Sequence, residues 1–260
     1  MLLIEKIVCT EPQGVISFIG GGGKTSLMFH LAGLLVKSGR RVLTTTTTKI
    51  FVPTPDQSKS LVIESDPQTV LRSVASCQKC SGHVTAAARL LGNGKLKGFE
   101  SEDITVFKES GLFDWILVEA DGAAGRPLKA PAEHEPAIPS ITTVLVSVAG
   151  LDVLGKPLSD DFVFRAALFG TLTGLAEGET ITESALADFY SQATGSFKGA
   201  PPGSRRFIFL NKADDAGLRA AGARVAEQLC YSGASTAETL IVGQALDRIR
   251  VYSLHSLELE

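Results

Sequence analysis

Long apolar runs, cysteine and a surplus of either charge are what this chain has little of, and each shortage excludes a class of protein. No uninterrupted apolar stretch approaches the roughly 18 residues that cross a bilayer. Four cysteines in 260 residues do not build a disulfide scaffold. Basic residues number 25 against 28 acidic ones, a formal net charge of −3, so no general attraction for nucleic acid is expected beyond a local basic patch. The start, Met1-Leu2-Leu3-Ile4-Glu5-Lys6, lacks the long apolar region and cleavage site of a secretory signal. The expectation is a cytoplasmic protein with neither nucleic acid nor membrane among its partners. Leu259-Glu260 has the look of an expression scar and carries no argument. Against these shortages, 44% hydrophobic and 20% charged residues suit a globular chain with a substantial core.

What the chain does have is concentrated first at Phe18-Ile19-Gly20-Gly21-Gly22-Gly23-Lys24-Thr25-Ser26. The apolar run Gly14 to Ile19 predicts a buried strand, and Leu27, Leu31, Leu34 and Leu35 predict a helix to about Ser38. Strand, glycine loop, Lys-Thr and helix follow one another in the order a phosphate-binding loop requires. Gly20, Gly21, Gly22 and Gly23 let successive amides curl toward phosphate oxygens, and the positive end of the helix dipole lies under the same anion. Lys24 supplies a point charge for β- and γ-phosphates, and the Thr25 hydroxyl is placed to ligate Mg²⁺. Phe18 stands where the usual G-x-x-x-x-G-K-[ST] spacing has its outermost glycine.

Two further strand ends carry chemistry. Phe113 to Val118 reads as a buried strand closing in Glu119-Ala120-Asp121-Gly122. In phosphate-loop enzymes the corresponding Walker B carboxylate holds Mg²⁺, and residues two apart share a face of an extended strand. Either Glu119 or Asp121 is thus a metal candidate, and the other could orient an attacking water. Arg206 to Leu210 predicts a later strand followed at once by Asn211-Lys212-Ala213-Asp214. N-K-x-D at a strand end reads guanine: the Asp accepts two hydrogen bonds that adenine cannot supply, Asn211 contacts the purine edge, and the Lys212 stem covers the ring.

Other stretches are less specific. Arg41 to Leu43 runs into five threonines, Thr44 to Thr48, good strand material. At least one of these hydroxyls is expected to face Mg²⁺ or hold a switch segment, with Thr47 as representative, although the run does not choose among them. Cys77 and Cys80 read as a hairpin end with two ordinary thiols, because zinc wants four ligands and no second pair sits at a useful spacing. Gly92 to Gly98 predicts a turn carrying Lys95 and Lys97. In the Gly- and Pro-rich loop from Gly122 to Pro136, Arg126, Lys129 and His134 are candidates for a second substrate or partner, each alone reading as solvated surface. Phe162 to Leu168 predicts a helix, and so does Ile181 to about Ala193, with Thr180 and Glu183 spaced as a capping box.

Taken together, Gly20 to Thr25, Thr45 to Lys49, Val118-Glu119-Ala120-Asp121-Gly122 and Asn211 to Asp214 resemble the SIMIBI branch of phosphate-loop GTPases. With Gly94 to Gly98, Gly122 to Lys129, Pro131 to Pro136 and Gly155-Lys156-Pro157 added, the chain resembles the YqeC family. That resemblance implies an accessory factor for selenium-dependent molybdenum hydroxylases, with such a hydroxylase or its maturation factors as partner. The fold expected is α/β, a P-loop NTPase with a mostly parallel sheet, helices on both faces and a helical insertion at about 150–202 in a single domain. The function expected is Mg²⁺-dependent binding, with hydrolysis, of GTP in preference to ATP. Lys24, Glu119 and Asp121 carry the chemistry. A small-molecule kinase or ATP-dependent ligase using the same loop, and a non-catalytic nucleotide-gated scaffold, are the alternatives.

Overall fold

Ile16 and Phe18 on one side, and Val15 and Ile19 on the other, are all at most 1% exposed, so the first strand is apolar on both faces and has to be central. A computed structural model, describing residues 4–77, 82–233, 235 and 237–257, places it there. The short helix α1 (Ile4–Val8) is followed by β1 (Gly14–Gly20), α2 (Lys24–Lys37) and β2 (Val42–Thr46). Then come β3 (Lys49–Phe51), β4 (Leu61–Ile63), α3 (Pro67–Ser76), β5 (His83–Ala87), β6 (Arg89–Leu90) and β7 (Lys95–Lys97). The middle of the chain holds α4 (Asp103–Glu109), β8 (Trp115–Glu119), β9 (Leu128–Lys129) and β10 (Val144–Gly150). The rest comprises β11 (Val163–Phe164), α5 (Ala166–Thr173), α6 (Glu183–Ser191), β12 (Arg205–Asn211), α7 (Ala216–Ser232), β13 (Thr239–Ala245) and β14 (Ile249–Ser256).

Nine of these strands form one sheet in the order β14-β13-β12-β10-β1-β8-β2-β5-β4, parallel throughout except for the antiparallel β13–β14 pair. Parallel strands buried on both faces need helices above and below. Ile16, Phe18 and Phe209 pack with Leu27, Met28 and Leu31 of α2 on one face. The other face packs Ile19, Leu145 and Leu240 with α5, α6 and α7, and Val15, Ile116 and Val118 with Ile104 and Phe107 of α4. The result is an α/β P-loop fold, with β1 flanked by the acidic strand β8 on one side and β10 on the other. Every strand that carries a motif therefore ends at the same carboxyl edge of the sheet, where open α/β sheets bind ligands.

The structure departs from the sequence expectations in several places. Val163-Phe164 is not helical: it pairs in parallel with Leu128-Lys129, and α5 starts only after Arg165, a left-handed residue at φ 68°. The cap of α6 is Thr182, in extended conformation and accepting the Ala185 amide, whereas Thr180 sits in an isolated bridge with Pro157. Lys95 and Lys97 lie on β7, the middle strand of a three-stranded antiparallel sheet with β3 and β6, not on a turn. The helices α1 and α4 have no counterpart in the reading above. Cys80 and Leu259-Glu260 lie outside the described residues.

Candidate functional site

The glycine loop begins where β1 stops. Gly20, Gly22 and Gly23 have φ of 91°, 66° and 113°, a left-handed path that side chains disfavour. Space is short as well: a Cβ on Gly22 would lie 2.2 Å from the Gly150 amide nitrogen, and one on Gly23 would lie 2.4 Å from Asn211 Nδ2. Phe18 is inside the strand, fully buried among the α2 contacts, so the outermost glycine of the usual spacing is not where this loop bends.

Three of the expected cradle amides are already engaged. Gly20 donates to Asp121 Oδ2 at 2.9 Å, Gly21 to the Val148 carbonyl at 2.8 Å and Gly22 to the Arg126 carbonyl at 2.9 Å. The first helical bond of α2 is Leu27 to Gly23, so the amides of Gly23, Lys24, Thr25 and Ser26 have no acceptor among the described residues. Those four, and not Gly20 to Gly22, are the free donors at the positive end of α2. The reason is local: the first three glycines are pinned between β10 and the loop after β8.

Lys24 is 4% exposed, and its ammonium lies 3.1 Å from Asp121 Oδ1 and 3.9 Å from Glu119 Oε1 while donating to the Gly20 carbonyl at 2.6 Å. Burial alone would depress this lysine, but Asp121 and Glu119 outweigh it and raise its pKa above the usual value. Glu119 also accepts the Thr25 hydroxyl at 2.5 Å. Burial pushes its carboxyl up, against Lys24 and Thr25. No three His, Cys, Asp or Glu side chains among the described residues converge to hold a metal unaided. Thr25, Glu119 and Asp121 are all oxygen donors, which suits a hard cation that takes its other ligands from phosphate and water.

The opposite side of Asp121 was not foreseen. Lys129 is buried, with its ammonium 3.3 Å from Asp121 Oδ2 and 2.8 Å from Glu135 Oε2, which corrects the solvated reading of that residue. Glu135 is shared with Arg165 Nη1. Burial would raise the Glu135 carboxyl, but the Arg165 hydrogen bond and the adjacent Lys129 ammonium bring it down to about 2. Phe164 lies between the two cations, 5.7 Å from the Lys129 ammonium and 4.7 Å from the Arg165 guanidinium. Arg126 donates to the carbonyls of Asp160 and Ala124, and His134 is exposed.

All five threonines have protein partners. Thr44 bonds to Thr85 and His83, Thr45 to the Ala86 carbonyl, Thr46 to the Glu119 carbonyl, and Thr48 to Thr46. Thr47, the representative metal candidate, donates to the Ala137 carbonyl at 2.7 Å and so fastens the segment between β9 and β10. Its proton is committed there because the chain leaves the β2 line after Thr46.

The Asn-Lys-Ala-Asp corner lies at the end of β12, next to the glycine loop. Asn211 is 4% exposed; its Nδ2 donates to the Gly22 carbonyl at 2.7 Å and its Oδ1 accepts the Ala245 amide at 2.9 Å. It ties the glycine loop to the end of β13 and uses one of its two amide N–H groups in doing so. Lys212 adopts φ 61° and pairs with Asp152 Oδ2 at 2.7 Å. Asp214 is exposed, and its carboxylate makes no hydrogen bond or ion pair among the described residues.

Comparison with known proteins gives three results. A family model described as YqeC protein matches residues 16–167. A curated Escherichia coli (strain K12) protein, titled "Uncharacterized protein YqeC", is 42% identical over 199 residues, covering 76% of this chain and 75% of its own. Among solved structures, chloroplast FtsY from Physcomitrella patens aligns with 94% of this chain at 14% identity and a TM-score of 0.45. This chain spans 63% of that one, and so loose a likeness adds nothing to the strand order and loop geometry above.

Proposed function

We propose, from the premise that this chain belongs to the YqeC family, that it is a Mg²⁺-dependent GTP-binding and GTP-hydrolysing accessory protein. The observation that carries the reading is the group at the start of α2: four unpaired amides from Gly23 to Ser26, the Lys24 ammonium among them, and the Thr25 hydroxyl against Glu119. Unpaired amides at a helix N-terminus beside a buried cation favour a multiply charged anion over a neutral ligand. Thr25 and one of the two carboxylates would hold the cation, which neutralises phosphate charge when bound. Glu119, which accepts the Thr25 hydroxyl, and Asp121, held by the Gly20 amide, are the two candidates to hold the cation and to orient an attacking water.

The guanine preference rests on Asp214, whose carboxylate is open two residues after Lys212, which pairs with Asp152. The kinase or ligase alternative needs free cations in the loop after β8. Arg126 and Lys129 are held by partners within the protein, which leaves His134 alone to serve such a site. Service to a selenium-dependent molybdenum hydroxylase is what the family resemblance adds.

Titration with fluorescent GTP and ATP in the presence of Mg²⁺ tests the reading. GTP is expected to bind more tightly, and Lys24→Ala to weaken it by about 100-fold or more. Equal or tighter binding of ATP removes the guanine assignment; unchanged binding by Lys24→Ala removes the loop assignment. In cells lacking the chain, hydroxylase activity should be restored by the wild type and not by Lys24→Ala, and intact activity without the chain would discard the partner.

A further inference from the structure

Lys129 is the cation that the nucleotide reading leaves without a task. Its side chain is 1% exposed, and an ammonium so far from water is tolerated only against well-placed opposite charge. Followed contact by contact, six charges alternate in sign across the site: Glu119, Lys24, Asp121, Lys129, Glu135 and Arg165. One end meets Thr25 in the first turn of α2; the other is the residue that caps α5. A lysine serving only to tie down the loop after β8 would need Glu135 alone. This one is set against the same carboxylate that holds Lys24.

Lys24 has two competing partners in that arrangement. Without ligand it lies against Asp121, Glu119 and the Gly20 carbonyl. A triphosphate on the free amides would draw the same ammonium toward itself; with one carboxylate and Thr25 on Mg²⁺, the other carboxylate would be left buried beside an anion. Among the described residues, Lys129 is the one other cation paired with either of them.

Resting on the nucleotide reading above, we infer that Lys129 is a positioning residue of the phosphate site: it holds Asp121 in place while Lys24 is on phosphate. Because its second partner, Glu135, also holds Arg165, it passes phosphate occupancy on to the start of α5. The β9–β11 pairing makes this transmission direct, since Phe164 stands level with Lys129 and is followed at once by Arg165.

The test uses the full chain with fluorescent nucleoside tri- and diphosphates and Mg²⁺, together with amide hydrogen exchange over 163–173. In the wild type, triphosphate should change exchange at the start of α5. Lys129→Met should lower triphosphate affinity about tenfold or more, diphosphate affinity less than about threefold, and erase the α5 response. Glu135→Gln keeps Lys129 on Asp121, so affinity should hold within about threefold while the α5 response is lost. Equal weakening of both nucleotides by Lys129→Met, or an intact α5 response in Glu135→Gln, overturns the inference and leaves the nucleotide reading standing. Failure of the wild type to bind either nucleotide overturns that reading itself.

Discussion

The two halves of the candidate site are built on opposite plans. On the phosphate side, Lys24, Asp121 and Lys129 are each at most 4% exposed, paired with one another, and held by Gly20 and by strands on both flanks. On the base side, Asn211 bonds to Gly22 and Ala245, Lys212 is half-exposed on Asp152, and Asp214 stands in solvent. Triphosphate recognition needs charge already gathered in a low-dielectric place, where each interaction is strong but an unpaired group is costly. Base recognition needs a flat opening with one directed acceptor, which the fold can offer without burying anything. The consequence is that the phosphate half is coupled to stability and the base half is nearly free of it. Substitutions should separate them.

Asp121→Asn should have the largest effect. The substitution removes the charge that faces both Lys24 and Lys129, leaving two buried ammoniums with weaker partners; breaking a buried pair from one side costs about 3–5 kcal/mol. Chemical denaturation of the ligand-free chain should show a loss of that order. A change within about 0.5 kcal/mol, the range of an ordinary surface substitution, would mean that the cluster is not what holds this edge of the sheet.

A smaller effect is expected one step outward. Glu135 titrates near 2 in the folded chain against an ordinary 4.5, so it binds protons more readily when unfolded. Its contribution is therefore present above 4.5 and is lost as pH falls from 4.5 through about 2. Much of the carboxylate faces water, so the contribution discounts to roughly 1 kcal/mol. The stability gap between wild type and Glu135→Gln should be constant from pH 6 to 8 and close in that acid window. A gap that persists unchanged at the acid end would detach Glu135 from the chain of charges.

The same division explains what could be read before folding. Gly20 to Thr25, Glu119 to Asp121 and Asn211 to Asp214 are contiguous and sit at strand ends, so local pattern was enough to find them and to expect a mostly parallel sheet. Lys129 could not be read that way. Its partner Asp121 is eight positions back, and Arg165, which shares Glu135 with it, is 30 residues beyond that glutamate. They meet only because two two-residue strands, β9 and β11, pair in parallel, and such strands are too short to show a period. The same pairing defeats the helical reading of Phe162 to Leu168, whose apolar residues fit either state. Asn211 was found by its motif, but its bonds to Gly22 and Ala245 were not, because they depend on loop positions that no spacing encodes.

Asp214→Asn should have the smallest effect on the fold and the most selective effect on binding. An exposed carboxylate with no partner among the described residues can be neutralised within about 0.5 kcal/mol of the original stability. If that carboxylate accepts from the guanine ring, its amide replacement presents a donor to a donor. GTP affinity should then fall about tenfold or more while ATP affinity barely moves, because the phosphate half is untouched. The measurement is a pair of titrations alongside one denaturation curve. Parallel losses for GTP and ATP would show that Asp214 supports the loop and not the base, and the open corner at the end of β12 would then be structural. Loss of the GTP preference at unchanged stability would show that base choice rests on one residue the fold does not need.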